Sequence, residues 1–455
     1  MRVVVVGGGI SGLAAAYRLV DRGAEVVLVE QAGHLGGKLR TGEIAGGPVD
    51  LGAEAFALRD PRGRPSAAIE LVHAVGLADD LVHPAIGRAA LAVGGRLRPM
   101  PTGTLQGVPG DLAALDGVAA ADAGRDHDGG RPLLGAGEDV SVGALVRRRV
   151  GDEVVDRLVD PMLGGVYAGR ADDLSLATTM PALAATARRE HTLTGAVRAA
   201  LAARPASSGP IFGTLVGGVG RLVSAVTERL AAVDLRLGLP VRAVAADAAG
   251  WRVTIGATRD PQTISADAVI LATPAKPAAR LLAEIAPKAA DNVGVLDYAS
   301  VALVTLALPS VDLPELSGLL VPASEGYAVK AATFFDRKWA HQRRPGVTVV
   351  RTSLGRYGDE RVLQRDDAEL ATLAHAELGK LLGRELPEPV DTLVQRWGGA
   401  LPQYAPGHLD RVAAARSGLP ATVALAGAAY DGVGIPACVQ SGWTAADRIL
   451  EGLKP

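Results

Sequence analysis

The chain of 455 residues has room for two or three domains and a sizeable core. It sets 47 cations against 49 anions, a formal charge of −2, and has no basic run, which excludes a nucleic-acid binder. One cysteine, Cys438, excludes an internal disulfide and any cysteine-based zinc or iron–sulfur centre.

Met1 to Val20 is apolar, but Gly7-Gly8-Gly9 in its middle argues for strand, turn and helix rather than a signal peptide. Val3 to Val6, four β-branched residues, predicts a buried parallel strand. A helix over Leu13 to Asp21 follows, with Gly23 at its C-cap, then a second buried strand over Val26 to Val29 ending at Glu30. Gly107 to Asp139, rich in Gly, Ala and Asp, reads as a long surface loop. Ser141 caps a helix to about Val150, Asp152 to Leu163 is another, and Met180 to Leu201 is mostly helical. Residues from about 100 to 205 thus read as a helical insert. Strands are expected at Val241–Ala245, Trp251–Ile255, Ala268–Leu271, Val301–Leu308, Ala328–Phe334 and Thr348–Thr352. A helix over Ala368–Leu382, a strand over Val423–Ala426 and a helix over Ile435–Leu453 complete the chain. No stretch of about 20 uninterrupted apolar residues predicts a transmembrane helix.

The chemistry starts at Gly7-Gly8-Gly9-Ile10-Ser11-Gly12. Gly7 permits the tight turn, Gly9 lets the backbone approach a pyrophosphate, and Gly12 lets strand and helix pack closely. The helix N-terminus at Ile10 and Ser11 offers amide donors to the phosphates. Glu30, 18 residues on at a strand end, suits ribose hydroxyls and disfavours a 2′-phosphate. These residues alone leave NAD and FAD open.

The following residues carry a resemblance. Gly36-Gly37-Lys38-Leu39-Arg40-Thr41 and Asp50-Leu51-Gly52-Ala53-Glu54 resemble the two-dinucleotide-motif flavoproteins, the group of amine oxidases, phytoene desaturases and protoporphyrinogen oxidases. Val269 to Pro274 resembles that group's internal Ala-Thr-Gly strand, with Pro274 replacing the final Gly. Gly427 to Cys438 looks like the final flavin motif of the protoporphyrinogen/coproporphyrinogen oxidase family, with Ala428 where the wider group has Asp. Segments 101–109, 142–181, 330–341 and 395–408 resemble the same family in the same order, and 110–139 is the main part without a match.

The resemblance implies an α/β fold: a Rossmann-type FAD-binding domain (1–57, 212–292, 420–455), a mixed-sheet substrate domain (58–94, 293–419) and a helical insert of membrane-associated type (95–211). FAD is the implied cofactor, with no metal. Besides the first glycine motif and Glu30, the implied cofactor contacts are Gln31, Gly37, Lys38 and Thr41. Gly52, Ala53, Glu54 and Ala55 border the flavin, with Val241 and Trp397 as further contacts. Ala428, Val433, Gly434 and Ile435 close the list, the amides of Val433 to Ile435 facing the pyrimidine end of the flavin, which becomes anionic on reduction.

Family members take six electrons from a porphyrinogen in three hydride transfers to flavin and pass them to O2, giving H2O2. The implied chemistry belongs to the cofactor, so no catalytic side chain is expected. The substrate is an apolar ring with carboxylate arms, and buried carboxylates need partners. Arg59, Lys330 and Arg98 are the candidates, in that order, with Gly165 and Tyr167 lining the site. Only seven of the 47 cations are lysines. That composition points to a GC-rich member of the Gram-positive branch, which oxidises coproporphyrinogen III; the other branch oxidises protoporphyrinogen IX. A cytoplasmic enzyme is expected, with peripheral membrane contact and hand-off of product to a ferrochelatase as further implied partners. An amine or carotenoid oxidoreductase and a non-catalytic porphyrin carrier are the rival readings. Cys438 reads as a packed thiol, and the eight histidines as structural or surface residues.

Overall fold

A computed structural model describes residues 1–205, 209–248 and 250–452. Strand β1 (Arg2–Val6), helix α1 (Ile10–Asp21) and strand β2 (Glu25–Glu30) form the expected β-α-β unit. Five parallel strands lie in the order Asp234–Leu237, β2, β1, Ala268–Leu271, Val423–Leu425. Helix α1 and the final helix Ile435–Gly452 cover one face. The meander Val241–Asp247, Gly250–Ala257, Asp260–Ala266 and the helices Ala275–Leu282 and Pro287–Gly294 cover the other. Burial on both faces explains why these strands are runs of Val, Ile and Leu rather than alternating sequences.

A second sheet has seven strands, in the order Asp391–Gln403, Asp297–Pro309, Val347–Leu354, Val329–Phe334, Gly318–Leu320, Ala89–Val93, Arg96–Pro99. Its pairs are antiparallel except Gly318–Leu320 beside Ala89–Val93. Helix Asp367–Leu382, begun by a capping box of Asp366 and Glu369, packs on one face. The opposite face is turned toward the segment after β2.

The helical insert follows its sequence signals closely. Ser141 Oγ accepts from Ala144 N at 3.2 Å and opens Val142–Val150. The next helix runs from Asp152 to Tyr167, with a π-helical turn at Val155–Val159 that the sequence pattern does not reveal. The mostly helical stretch expected over 180–201 is two helices, Pro181–Ala187 and Leu193–Ala202.

One reading needs correction, and one strand was not foreseen. Gly107–Asp139 is not a free surface loop: Val108, Leu115, Val118 and Leu134 are buried in the insert's core, and Asp126 accepts from Leu193 N and Thr194 N. The strand Asp391–Gln403, the longest partner of Asp297–Pro309, had no strand signal because Gly398, Gly399 and Pro402 interrupt it. The final helix is seen to Gly452; Leu453 lies outside the described residues. No helix of the described residues is long and apolar enough to cross a membrane.

Candidate cofactor and substrate site

The carboxyl end of β1 builds the first half of the site. Gly7 has φ +108°, and a Cβ there would meet the Ala272 carbonyl oxygen at 2.5 Å. A Cβ at Gly12 would meet the Gly7 carbonyl oxygen at 1.9 Å, so only glycine lets α1 pack this closely. Gly9 is different: a Cβ there meets nothing within 4 Å. Helix α1 starts at Gly9 without a side-chain cap, which leaves the amides of Ile10, Ser11 and Gly12 facing that open space. The second glycine loop stacks on the first, with Gly36 N donating to Gly8 O at 2.8 Å. Lys38 is held there without an acidic partner among the described residues, and burial pushes its amine down. A cationic side chain, orphan amides and an unfilled glycine cradle are what a diphosphate needs.

Glu30 stands at the end of β2, its carboxylate accepting from Gly8 N and Ala32 N, both at 2.7 Å. Neighbouring Gln31 is exposed. Val241 is buried at the start of its strand, and its carbonyl accepts from Arg280 Nη2 at 3.4 Å. Thr41 has a structural commitment: its hydroxyl donates to Asp50 Oδ1 at 2.8 Å and accepts from Gly220 N at 3.1 Å.

Asp50 is buried, accepts from Val219 N at 3.0 Å as well, and is pushed up to about 7 by that burial, against the pull of its hydrogen bonds. A carboxyl whose pKa rises on folding favours the folded state at low pH. Stability is therefore expected to fall as pH climbs from 3.8 toward 7. Asp50→Asn keeps both acceptor bonds, should flatten that dependence, and should gain on the order of 2–4 kcal/mol at pH ~8. Urea melts at both ends of the range check this; parallel curves for the two proteins would refute it.

The segment after Asp50 is clamped by the second sheet. Trp397 Nε1 donates to Leu51 O at 2.6 Å, and Arg351 Nη1 donates to Asp50 O at 2.8 Å and Gly52 O at 3.3 Å. A Cβ at Gly52 would meet Lys38 O at 2.1 Å. The Glu54 side chain is held in ion pairs with Lys338 and Arg351. Burial alone would raise the Glu54 carboxyl; the two cations outweigh it and hold it at about 2. The half-buried Ala53 packs toward the core of the first sheet, and the half-buried Ala55 packs against the cluster of Ala307, Trp339 and Val349. Sequence reasoning missed Arg351; its only signal was a cation at a strand position flanked by β-branched residues.

At the C-terminal side, Gly427 has φ +127° and its N donates to Ser441 Oγ at 2.8 Å. Ala428 O accepts from Tyr404 Oη at 2.6 Å. Val433 and Gly434, the latter at φ +107°, lead into the final helix at Ile435. A Cβ at Gly442 would meet Ser11 O at 2.2 Å, so this helix is pressed onto α1. Cys438, one turn in, sits beside Ser11, and burial pushes its thiol up, as a packed rather than reactive group requires.

The candidate substrate contacts are not joined to one another. Arg59 is exposed, its Nη1 donating to Gly63 O at 3.1 Å, and lines a surface groove with Leu58, Ile69, Leu81 and His83. Arg98 is half-buried against Gly117, on the insert side of its hairpin. Lys330 is buried, with its Nζ donating to Ser353 Oγ at 2.9 Å. Gly165 is exposed and a Cβ there would lie 3.3 Å from Leu320. Tyr167 is buried edge-on against Tyr404, centroids 5.7 Å apart.

The comparisons with known proteins place the chain in a family. The family model described as "Flavin containing amine oxidoreductase" matches residues 10–450. Coproporphyrinogen III oxidase of Mycobacterium tuberculosis (strain ATCC 25618 / H37Rv) is 42% identical over 464 residues, spanning 99% of this chain and 97% of the relative. That of Bacillus subtilis (strain 168) is 32% identical over 98% of this chain and 97% of its own. A crystal structure from Exiguobacterium sp. 255-15, provisionally named a protoporphyrinogen oxidase, superposes with TM-score 0.84 at 30% identity, covering 99% of both chains. The fold is that of the FAD-dependent oxidases, and FAD is its cofactor. The chain belongs to the flavin containing amine oxidoreductase family, and within it to the porphyrinogen oxidase group that contains the proteins named coproporphyrinogen III oxidase.

Proposed function

We propose that the protein oxidises coproporphyrinogen III to coproporphyrin III in heme synthesis, with O2 as the final acceptor and H2O2 as by-product. The observation that carries this is the 42% identity, over 99% of the chain, to mycobacterial proteins named coproporphyrinogen III oxidase. Bound FAD supplies hydride acceptance and reoxidation by oxygen. The chain's part is to bind and orient: Gly9, Ile10, Ser11 and Lys38 toward the diphosphate, Glu30 toward ribose, and the helix N-terminus after Val433 and Gly434 toward the flavin. Arg351 and Trp397 fix the 50–52 backbone against which the flavin packs. Arg59, Arg98 and Lys330 meet carboxylates, and Gly165 and Tyr167 line the ring's place. The three-part domain division belongs to the same proposal. So does peripheral membrane contact, supported by the exposed Ile211 and Phe212 beside the Arg59 groove.

Protoporphyrinogen IX is the second reading, favoured by 27% identity to the chloroplastic protoporphyrinogen oxidase 1 of Arabidopsis thaliana. The purified flavoprotein should be given both porphyrinogens in parallel, with porphyrin fluorescence and peroxide measured. Faster turnover of coproporphyrinogen III, with about three peroxides per porphyrin from three two-electron steps, is the expected result. Preference for protoporphyrinogen IX would move the enzyme to the second reading. No turnover of either would sink both.

A further inference from the structure

Lys330 occupies an unusual position. It is 7% exposed, its Nζ donates only to Ser353 Oγ, and no carboxylate pairs with it among the described residues. On its strand, Ala332 and Phe334 point into the apolar core beneath helix Asp367–Leu382. Strict alternation would send Lys330 into that core too. A β-bulge between Val329 and Ala331 turns it to the opposite face instead. That face also carries Arg351, two residues before Ser353, which reaches Gly52 O and Glu54 beside the flavin-bordering segment. Helix Asp160–Tyr167 of the insert packs over the same strands, and its Gly165 abuts Leu320, whose strand partner is Ala331. Val166 stays 46% exposed there. The amine therefore lies on the sheet face between the flavin-bordering segment and the insert helix, beside the close approach of Gly165 to Leu320.

The other charged groups around it are already engaged. Arg351 is taken by Glu54, and Lys338 likewise. Arg356, whose charge acts on Lys330, donates to Tyr327 O and Val321 O. Asp160 on the insert helix accepts from Ala171 N, and its charge falls on Arg356 and Arg170. Glu377 on helix Asp367–Leu382 accepts from Ala328 N and Val329 N. Asp336 is half-buried beside Arg337, which pairs with Asp312 and Glu315.

We propose that Lys330, held by Ser353 on the bulge, is a specificity-determining residue that pairs with one carboxylate arm of the porphyrinogen, at a place where protoporphyrinogen IX has no carboxylate. The inference rests on the proposed porphyrinogen chemistry and deepens it. A buried cation facing an uncharged arm stays unpaired, so the site rejects the two-carboxylate ring as well as attracting the four-carboxylate one. Burial, and then Arg356, push the free amine down to about 7. A carboxylate binds the ammonium form, so binding takes up a proton, and affinity should fall as pH rises above about 7.

The test is steady-state kinetics of Lys330→Met, Lys330→Arg and wild type on both porphyrinogens, from pH ~6 to ~8.5, with flavin content measured for each. Lys330→Met should raise KM for coproporphyrinogen III about ten-fold or more, with kcat changed less than about three-fold. It should leave KM for protoporphyrinogen IX unchanged or lower. Wild-type KM for coproporphyrinogen III should rise with pH, whereas Lys330→Arg, always charged, should hold it flat. An unchanged substrate preference in a flavin-replete Lys330→Met enzyme overturns the inference. Should that variant lose its flavin, the pH profiles decide: a wild-type KM no steeper than that of Lys330→Arg overturns it equally. Wild-type enzyme inactive on both porphyrinogens refutes the proposed function instead, a result distinct from either.

Discussion

Replacing Gly9 with valine is expected to give a folded protein that purifies without flavin, whereas Gly12→Val is expected not to fold. The two glycines stand three residues apart in one motif, yet they answer to different constraints. Gly9 has φ −70° and ψ 174°, extended backbone that a β-branched residue adopts readily. Its side chain would enter space that no protein atom occupies within 4 Å. The cost falls on the diphosphate that must approach the backbone there. At Gly12 the intruding carbon would sit 1.9 Å from the Gly7 carbonyl oxygen, and neither backbone can withdraw without separating α1 from β1. A clash of that size in a packed core exceeds the ~1–3 kcal/mol of ordinary overpacking. Circular dichroism and visible flavin absorbance separate the outcomes. A yellow Gly9→Val protein would contradict the placement of the diphosphate.

Glu54→Gln should destabilise the protein by about 3–5 kcal/mol, because it leaves Lys338 and Arg351 partly buried without their anion. The sign with pH is definite. The Glu54 carboxyl is depressed on folding, from 4.5 to about 2, so its contribution is complete above 4.5 and disappears as pH falls toward 2. Wild type and variant should thus differ most near neutrality and converge in acid. Lys338→Met should cost less, since Arg351 still pairs with Glu54. Denaturant midpoints across this range, with flavin retention scored alongside, provide the check. A Glu54→Gln protein within ~0.5 kcal/mol of wild type at neutral pH would show that the triad holds nothing together.

The first 30 residues were legible because each turn there has one chemical solution. A positive φ at Gly7, a sub-van-der-Waals approach at Gly12 and a strand ending in Glu30 leave a local trace. Ser141 was legible for the same reason: a cap is satisfied within three residues. The clamp on residues 50–54 was not, because Arg351 and Trp397 lie about 300 residues away and meet it only after two sheets have formed. Thr41 and Glu54 show what a resemblance leaves out. The resemblance marks them as cofactor contacts, and the structure commits their side chains to Asp50, Gly220, Lys338 and Arg351. The bulge at Lys330 has no local signature, since nothing in Val-Lys-Ala-Ala says that alternation skips a step.

The interleaving of segments in the first sheet bears on how the protein is made. β1 gains one neighbour from residues 268–271, and that strand is closed in turn by Val423–Leu425. The final helix then presses Gly442 onto Ser11, at the mouth of the dinucleotide site. A chain leaving the ribosome therefore exposes its glycine motif first and completes the surrounding walls last. The last two pieces of that frame, Val423–Leu425 and the final helix, are made only after every other strand of the sheet. A chain that stops before the final helix keeps the first glycine motif but lacks the wall that Gly442 presses against Ser11.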